Sequence, residues 1–272
     1  MHDDMIFVDS LDVPELEIYH VLSENRLYHI NEPDEGLFIA ESALVIGRAL
    51  DAGYEPFSML VAEEELEREA KEIITRLEKF PLAKIYVAKE EVLKKITGYN
   101  ITRGLLCAMK RKKLKSAFEV CEGAKRVAVL ENVSNPTNVG AIMRNAAALN
   151  MDAVLFTKGS SDPLYRRAIR VSMGTVFQIP WTFLTTDREI EELREMGFKT
   201  VALALSDNTL DIDDKRLADE DKLAILLGSE GYGLKAETIK NSDYCVKIPM
   251  AHGVDSLNVA ACSAVTFWEL QK

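Results

Sequence analysis

The sequence predicts an α/β protein built as two domains, on three observations. Strand-like and helix-like segments alternate along most of the 272 residues. The alternation stops once, between about Lys110 and Lys125, where the chain is basic at first and then mixed, and it resumes beyond. In the second part, three loops rich in Gly, Asn and Pro each follow a buried-looking strand. A chain of this length suits one large domain or two ordinary ones, and 47% hydrophobic content is enough for real cores.

In the first part, GLFIAES reads as a strand and SALVIGRALDAG as a helix closed by Gly53. FSMLVAE is a second strand, and EELEREAKEIITRLEKF a charged amphipathic helix stopped by Pro81. AKIYVAKE, EVLKKITG and RGLLCAMKR follow as strand, short helix and strand. In the second part, KRVAVLENV, AVLFTK, VFQIPW, KTVALALS, KLAILLG and YCVKIP are strand-like. NPTNVGAIMRNAAAL turns on Asn and Pro into an alanine-rich helix, REIEELREMG is a helix ending at a Gly, and a last helix is expected from about Ser256 to Leu270. The expected boundaries are a domain over 1–115, a linker over 116–123 and a domain over 124–272.

Composition excludes several functions. No apolar run reaches the ~18 residues of a membrane span, and the acidic N-terminal stretch MHDDMIFVDSLDVPELE is unlike a signal peptide. The four cysteines form no CxxC pair and the four histidines no HxxxH, which points to a reduced, soluble, cytoplasmic protein without a metal. A net charge of −11 argues against indiscriminate nucleic-acid binding. The acid is spread evenly, whereas cations cluster. KRKKLK (110–115) has five cations in six positions and RRAIR (166–170) three in five, so phosphates could be gripped at chosen points.

The three loops carry the chemistry. LENVSNPTNVGAIMR (130–144) drops from a strand into a turn and a helix, with Asn138 and Gly140 at the helix entrance, where open backbone N–H groups suit an anion. LLGSEGYGL (226–234) packs three glycines and Glu230 behind a strand, allowing close backbone approach to a ligand. IPMAHGVDSLNVAA (248–261) ends a strand at Pro249 and re-enters a helix at Ser256, with Asn258 on its first turn. GSEGYG lacks the GxGxxG spacing and comes about 100 residues into its domain, against an NAD enzyme or an ordinary Rossmann methyltransferase.

In that order and at those separations, the three loops resemble the signature motifs of the SpoU/TrmH family of RNA ribose methyltransferases, within the knotted SPOUT superfamily. The resemblance covers about residues 124–272, and DPLYRRAIRVSMGTVFQIP is similar to the family's connecting segment. Residues 1–115 resemble, less specifically, the ribosomal-protein-like substrate-binding domain of rRNA-modifying members.

The resemblance implies a trefoil-knotted C-terminal domain that binds S-adenosylmethionine, preceded by a smaller α/β RNA-binding domain. It places Gly228, Ile248 and Leu257 at cofactor contacts, with Gly231 and Met250 as neighbours. It places Asn138, Arg144, Glu230, Ser256 and Asn258 in the catalytic cluster, Arg144 at the ribose hydroxyl and Glu230 as its bidentate partner. Arginine stays protonated, so Arg144 is expected to stabilise a developing alkoxide as a cation. Many members have Gly where this chain has His252, with Gly253 following; His252 is read as a rim residue of the loop. The implied activity is 2′-O-ribose methylation of structured RNA, rRNA rather than tRNA, by a homodimer that needs no metal and no membrane. The alternatives are a non-catalytic rRNA-binding protein on the same fold and a base-methylating knotted enzyme. RNA is expected to meet Lys110, Arg111, Lys112 and Lys113, with Arg103 beside them, and removal of 1–115 is expected to leave a folded cofactor-binding domain.

Overall fold

A computed structural model describes residues 5–97, 104–186, 188–206 and 209–271; Arg103 lies outside them. In chain order the elements begin with β1 (Met5–Phe7), α1 (Glu17–His20), α2 (Glu24–His29), β2 (Leu37–Glu41), α3 (Ala43–Asp51) and β3 (Pro56–Ala62). They continue with α4 (Ala70–Leu77), β4 (Lys84–Ala88), α5 (Glu90–Thr97), β5 (Leu105–Lys110), α6 (Ala117–Val120), β6 (Arg126–Leu130) and α7 (Pro136–Ala148). Then come β7 (Ala153–Phe156), α8 (Arg166–Val171), β8 (Trp181–Phe183), α9 (Glu189–Glu195), β9 (Lys199–Leu203) and β10 (Leu210–Asp211). The chain ends in α10 (Lys215–Ala218), β11 (Leu223–Leu227), α11 (Ala236–Asn241), β12 (Tyr244–Lys247) and α12 (Val259–Leu270). Two compact units result: 1–113 with 164–177, and 114–163 with 178–272.

The first unit is a five-stranded sheet in the order β1-β4-β3-β5-β2. β1, β4 and β3 run parallel, and β5 is antiparallel to both β3 and β2. Period-two alternation divides its core, because successive side chains leave a strand on opposite faces. Leu37 and Ile39 pack with Leu16, Tyr19, Leu27 and Leu106 on one face. Phe38, between them in sequence, meets the rings of Tyr54 and Phe177 at 5.2 and 5.6 Å.

Phe177 belongs to the segment 164–177, which the contiguous division at 115 assigns to the other domain. The segment is held in the first unit by specific bonds. The Arg166 guanidinium lies 3.3 Å from buried Glu41 and its backbone N–H donates to Glu24 at 2.7 Å. Arg48 donates to the Met173 carbonyl at 2.6 Å. The expected strand VFQIPW is correspondingly shorter: Thr175–Phe177 is a 3-10 turn of the first unit, and only Trp181–Phe183 pairs as β8. The charged helix after β3 also shortens, to Ala70–Leu77.

The second unit is an all-parallel seven-stranded sheet in the order β10-β12-β9-β11-β6-β7-β8. A parallel sheet is covered on both faces, and β6, β7 and β11 are buried at every residue. On one face Val127, Val129, Leu155, Ala224 and Leu226 pack with Ile190 and Leu193 of α9 and with Ala117 of α6. α6 lies inside the stretch expected to be linker, stabilised by a capping box in which Ser116 and Glu119 bond reciprocally. α7 and α12 pack against each other, joined by the Asn145 amide, which donates to the Ala260 carbonyl at 2.8 Å and to Ser263 Oγ at 2.9 Å.

The path through this sheet positions everything that follows. β6, β7 and β8 run outward to one edge, and β9 starts again on the other side of β6, one place away. β11 later fills that place and β12 is added outside β9. Because all strands are parallel, the loops after β6, β9, β11 and β12 leave the same edge of the sheet.

This division is at odds with the expectation that removal of 1–115 leaves a folded cofactor-binding domain. A chain beginning at Leu114 would strand Ile169, Val176 and Phe177 without their partners in the first unit. Each fully exposed apolar side chain of this size costs about 1.5–3 kcal/mol. The 114–272 chain should therefore aggregate or melt at lower temperature than the full chain, measured by size exclusion and thermal circular dichroism. Equal solubility and equal melting would contradict the assignment of 164–177 to the first unit.

Candidate active site

At the carboxyl edge of the second sheet lies a pocket of about 320 Å³. Its walls are residues 203–205 after β9, 232–234 after β11 and 246–248 of β12 and beyond, with Ile239, Met250, Asp255, Ser256 and Cys262. The lining is mostly apolar with a few polar groups, the ordinary make-up of a small-molecule site, and the volume is at the lower end of the usual ~300–1,000 Å³.

The loop after β11 forms one wall because its chain doubles back tightly. Ser229 and Gly233 exchange backbone bonds, N to O at 3.1 and 2.9 Å, leaving Glu230, Gly231 and Tyr232 as a three-residue tip. Gly233 takes φ +66°, in the left-handed region where glycine is unstrained. A Cβ on Gly228 would sit 2.2 Å from the Gly233 carbonyl carbon, so only glycine admits this approach. Gly231 is on the open side of the tip, with nothing within 4 Å of where a Cβ would be.

Beside the pocket runs a row of polar side chains from the first turn of α7, the loop after β11 and the N-cap of α12. Asn258 donates to the Asn138 Oδ1 at 3.3 Å, and the Asn138 Nδ2 donates to Glu230 Oε1. Asn258 also caps α12, accepting from the Ala260 N–H at 2.9 Å. The helix begins at Val259, so Ser256 lies in the preceding loop and not on the first turn. The structure thus brings together Asn138, Glu230 and Asn258, and places Ser256, Ile248 and Met250 on the pocket wall. Leu257 stands half-exposed beside the wall, its carbonyl accepting from Cys262 Sγ at 3.6 Å.

Arg144 is elsewhere. It is exposed on α7, six residues from Asn138 and therefore turned about 240° around the helix. It has no ion pair or hydrogen bond among the described residues, and the expected Arg144–Glu230 pair is replaced by Asn138–Glu230. His252 is exposed at φ +56°, the left-handed conformation glycine takes without strain.

The basic run is mostly committed within the first unit. Arg111 is 8% exposed, donates to the Leu37 carbonyl at 3.2 Å and lies 4.6 Å from the Tyr28 ring centre, so it is not available to a phosphate. Lys110 pairs with Glu55 at 3.1 Å. Lys112 donates to the Ala52 carbonyl at 2.6 Å and sits over the Tyr54 ring. Lys113 and Lys115 are exposed. Among the described residues, no group of three or more His, Cys, Asp or Glu could hold a metal ion, and no helix is long and apolar enough to cross a membrane.

An all-parallel sheet with a ligand-sized pocket at its carboxyl edge, flanked by an amide and carboxylate row, defines an α/β domain that holds a small molecule beside a polar acceptor site. The sequence model of the SpoU rRNA methylase family matches residues 125–268, and the chain belongs to that family of methyltransferases acting on RNA. It is 38% identical over 237 residues to an uncharacterised tRNA/rRNA methyltransferase of Mycobacterium bovis, covering 86% of this chain and 81% of that one. An S-adenosylmethionine-bound rRNA methyltransferase from Sinorhizobium meliloti has the same fold, with TM-score 0.83, 23% identity and 98% of each chain covered. An RNA 2′-O ribose methyltransferase structure matches with TM-score 0.75 and 25% identity over 98% of this chain and 97% of its own.

One residue the motifs did not single out organises this site. Glu131 follows β6, is 2% exposed, and accepts from the Lys235 N–H at 2.7 Å and the Thr238 hydroxyl at 2.6 Å. It therefore anchors the start of α11 and the far end of the Gly228–Leu234 loop. Its sequence signal is an acid directly after the apolar run Val127–Leu130. Glu131→Gln keeps one acceptor and turns an amide N–H toward the other donor, and should lower stability by about 1–3 kcal/mol in denaturant unfolding. An unchanged midpoint and slope would remove this anchoring role.

Proposed function

We propose that the protein transfers the methyl group of S-adenosylmethionine to a ribose 2′-hydroxyl of structured RNA, rRNA in preference to tRNA. S-adenosylmethionine is the cofactor; it supplies an activated methyl group on a sulfonium sulfur. The observation that carries the reading is the shared loop 250–258, which contributes Met250 and Ser256 to the pocket wall and Asn258 to the polar row. A cofactor in the pocket and a hydroxyl at the row would be neighbours by construction.

The chain's own residues divide the work. Ile248, Met250 and Leu203 exclude water from the pocket, and the glycine-closed tip gives its wall a fixed backbone. Glu230, held by Asn138, and Asn258, held by its own cap bond, orient an incoming ribose by hydrogen bonds. Arg144 remains a cation and stabilises the oxygen as its proton leaves. Its exposed place, off the polar row, is supported as a contribution across a homodimer: the partner copy's helix would carry it into the site. Val265 and Trp268 on α12 are exposed apolar side chains suited to that interface. A trefoil-knotted path is supported by the order in which β11 and β12 join the sheet, and knots are rare enough to need such support.

The 2′-O specificity is supported by the 25%-identical neighbour of that activity, and an rRNA substrate by the match to the SpoU rRNA methylase family. The first unit serves as the RNA-binding domain. The exposed cations of the basic run, Lys113 at the end of this unit and Lys115 just beyond it in sequence, are those to grip phosphate, while Arg111 stays inside as a structural group.

Purified protein with methyl-labelled S-adenosylmethionine and unmodified rRNA should yield a dinucleotide resistant to alkali, the mark of a methylated ribose. Label found only on a base would replace this reading with base methylation. Gly228→Val should abolish cofactor binding by calorimetry. Arg144→Ala should leave that binding within about twofold and lower methyl transfer by about 10²–10³; near-normal turnover would remove the role given to Arg144. Replacing Lys113 and Lys115 with Ser should weaken RNA binding and leave cofactor affinity unchanged. The log–log salt slope should flatten by about 0.7–0.9 for each phosphate no longer neutralised. An unaltered slope would move the RNA face elsewhere.

A further inference from the structure

The geometry points to Asp255 as the residue that distinguishes the charged methyl donor from its neutral product. This rests on the pocket at the carboxyl edge being the cofactor site. Two charged side chains of opposite sign, Lys247 and Asp255, line that pocket within an otherwise largely apolar wall. Lys247 has a carboxylate of its own, Asp211 Oδ1 at 3.8 Å. Asp255 has no hydrogen bond or ion pair among the described residues. Asp255 is exposed at the pocket mouth, so it presents to whatever occupies the pocket a negative charge without a protein partner, partly screened by water.

The position of Asp255 selects which part of the cofactor meets that charge. Asp255 directly precedes Ser256, also on the wall, and Asn258 two residues later donates to Asn138 at 3.3 Å. This end of the pocket thus adjoins the polar row, where a ribose hydroxyl would wait. A donor bound in the pocket would have to point its methyl toward that row, which would put the sulfonium at the same end. S-adenosylmethionine is a sulfonium cation; S-adenosylhomocysteine, left after transfer, is a neutral thioether at that atom. The remaining charged groups of the two molecules are the same.

The attraction between Asp255 and the sulfonium fades as the methyl leaves, so it strengthens donor binding without lowering the barrier. Asp255 is a specificity-determining residue in this role. It loads the donor in preference to spent product and weakens the hold on product once the charge is gone.

The test measures affinities of the full chain by calorimetry for S-adenosylmethionine, S-adenosylhomocysteine and sinefungin, an analogue with a protonatable amine at the methyl-bearing position. Asp255→Asn should weaken the two cationic ligands by roughly three- to fivefold and leave the thioether unchanged. Asp255→Glu should retain most of the preference, and rising salt should shrink it in the parent but not in Asp255→Asn. Equal loss for all three ligands would overturn the proposal, because the residue would then hold the loop or face a group common to all. No loss for any would overturn it as well. Ile248→Arg separates the pocket assignment from the role of Asp255. If that variant, with an unchanged melting temperature, binds S-adenosylmethionine normally, the pocket assignment fails and this inference with it. If it abolishes binding while Asp255→Asn keeps the preference, only the role of Asp255 fails.

Discussion

The insertion of β11 between β6 and β9 is the constraint on which the catalytic unit depends. Paired on both sides, β11 is buried along its whole length, with all five residues in register with β6 and the first four with β9. That register places Leu227 beside Leu130, so the loops after β11 and β6 leave the sheet together. Glu230 from one loop and Asn138 from the other can then bond directly. A one-residue slip would reverse every side chain of β11 and move Glu230 away from its partner.

Buried polar residues at the ends of strands convert this sheet into a fixed edge. Glu131 continues β6 and pins the segment entering α11, thereby closing the loop that carries Glu230. At the opposite end, Arg126 donates to the carbonyls of Leu270, Asp221 and Glu220, at 2.8, 2.9 and 3.0 Å. It ties the end of α12 to the turn before β11, and burial pushes its guanidinium below its ordinary value. Both residues satisfy backbone groups that would otherwise be buried without partners, which is the costly alternative. The pocket at the carboxyl edge is lined mostly by apolar side chains, with Asp255 and Ser256 among its polar ones.

Segment 164–177 shows that a stretch can join one sheet in sequence and complete another in space. By sequence it connects β7 to β8 of the catalytic sheet. By packing it completes the first unit, where Arg166 meets Glu41 and Phe177 meets Phe38. Its arginines looked like a phosphate-gripping patch, yet Arg166 is used to neutralise a buried carboxylate. The same holds for Arg111, stacked on Tyr28. Clustered cations on an acidic chain mark where charge is needed, and the need is as often internal as external.

The sequence by itself determined the alternation of elements and the three loops, because strand periodicity, helix caps and glycine requirements are local properties. Gly228, Asn258, the apolar run Val127–Leu130 and the all-apolar β11 could be read without a fold. So could the family, since three ordered motifs need no coordinates to be matched. Tertiary structure alone decided which residues meet. Asn138 and Glu230 are 92 positions apart, and their bond depends on where β11 enters the sheet. The displacement of Arg144 from Glu230, the burial of Arg111 and the transfer of 164–177 to the first unit follow equally from packing. No short stretch encodes them, because each depends on the side chain or backbone that a distant segment brings to the same place.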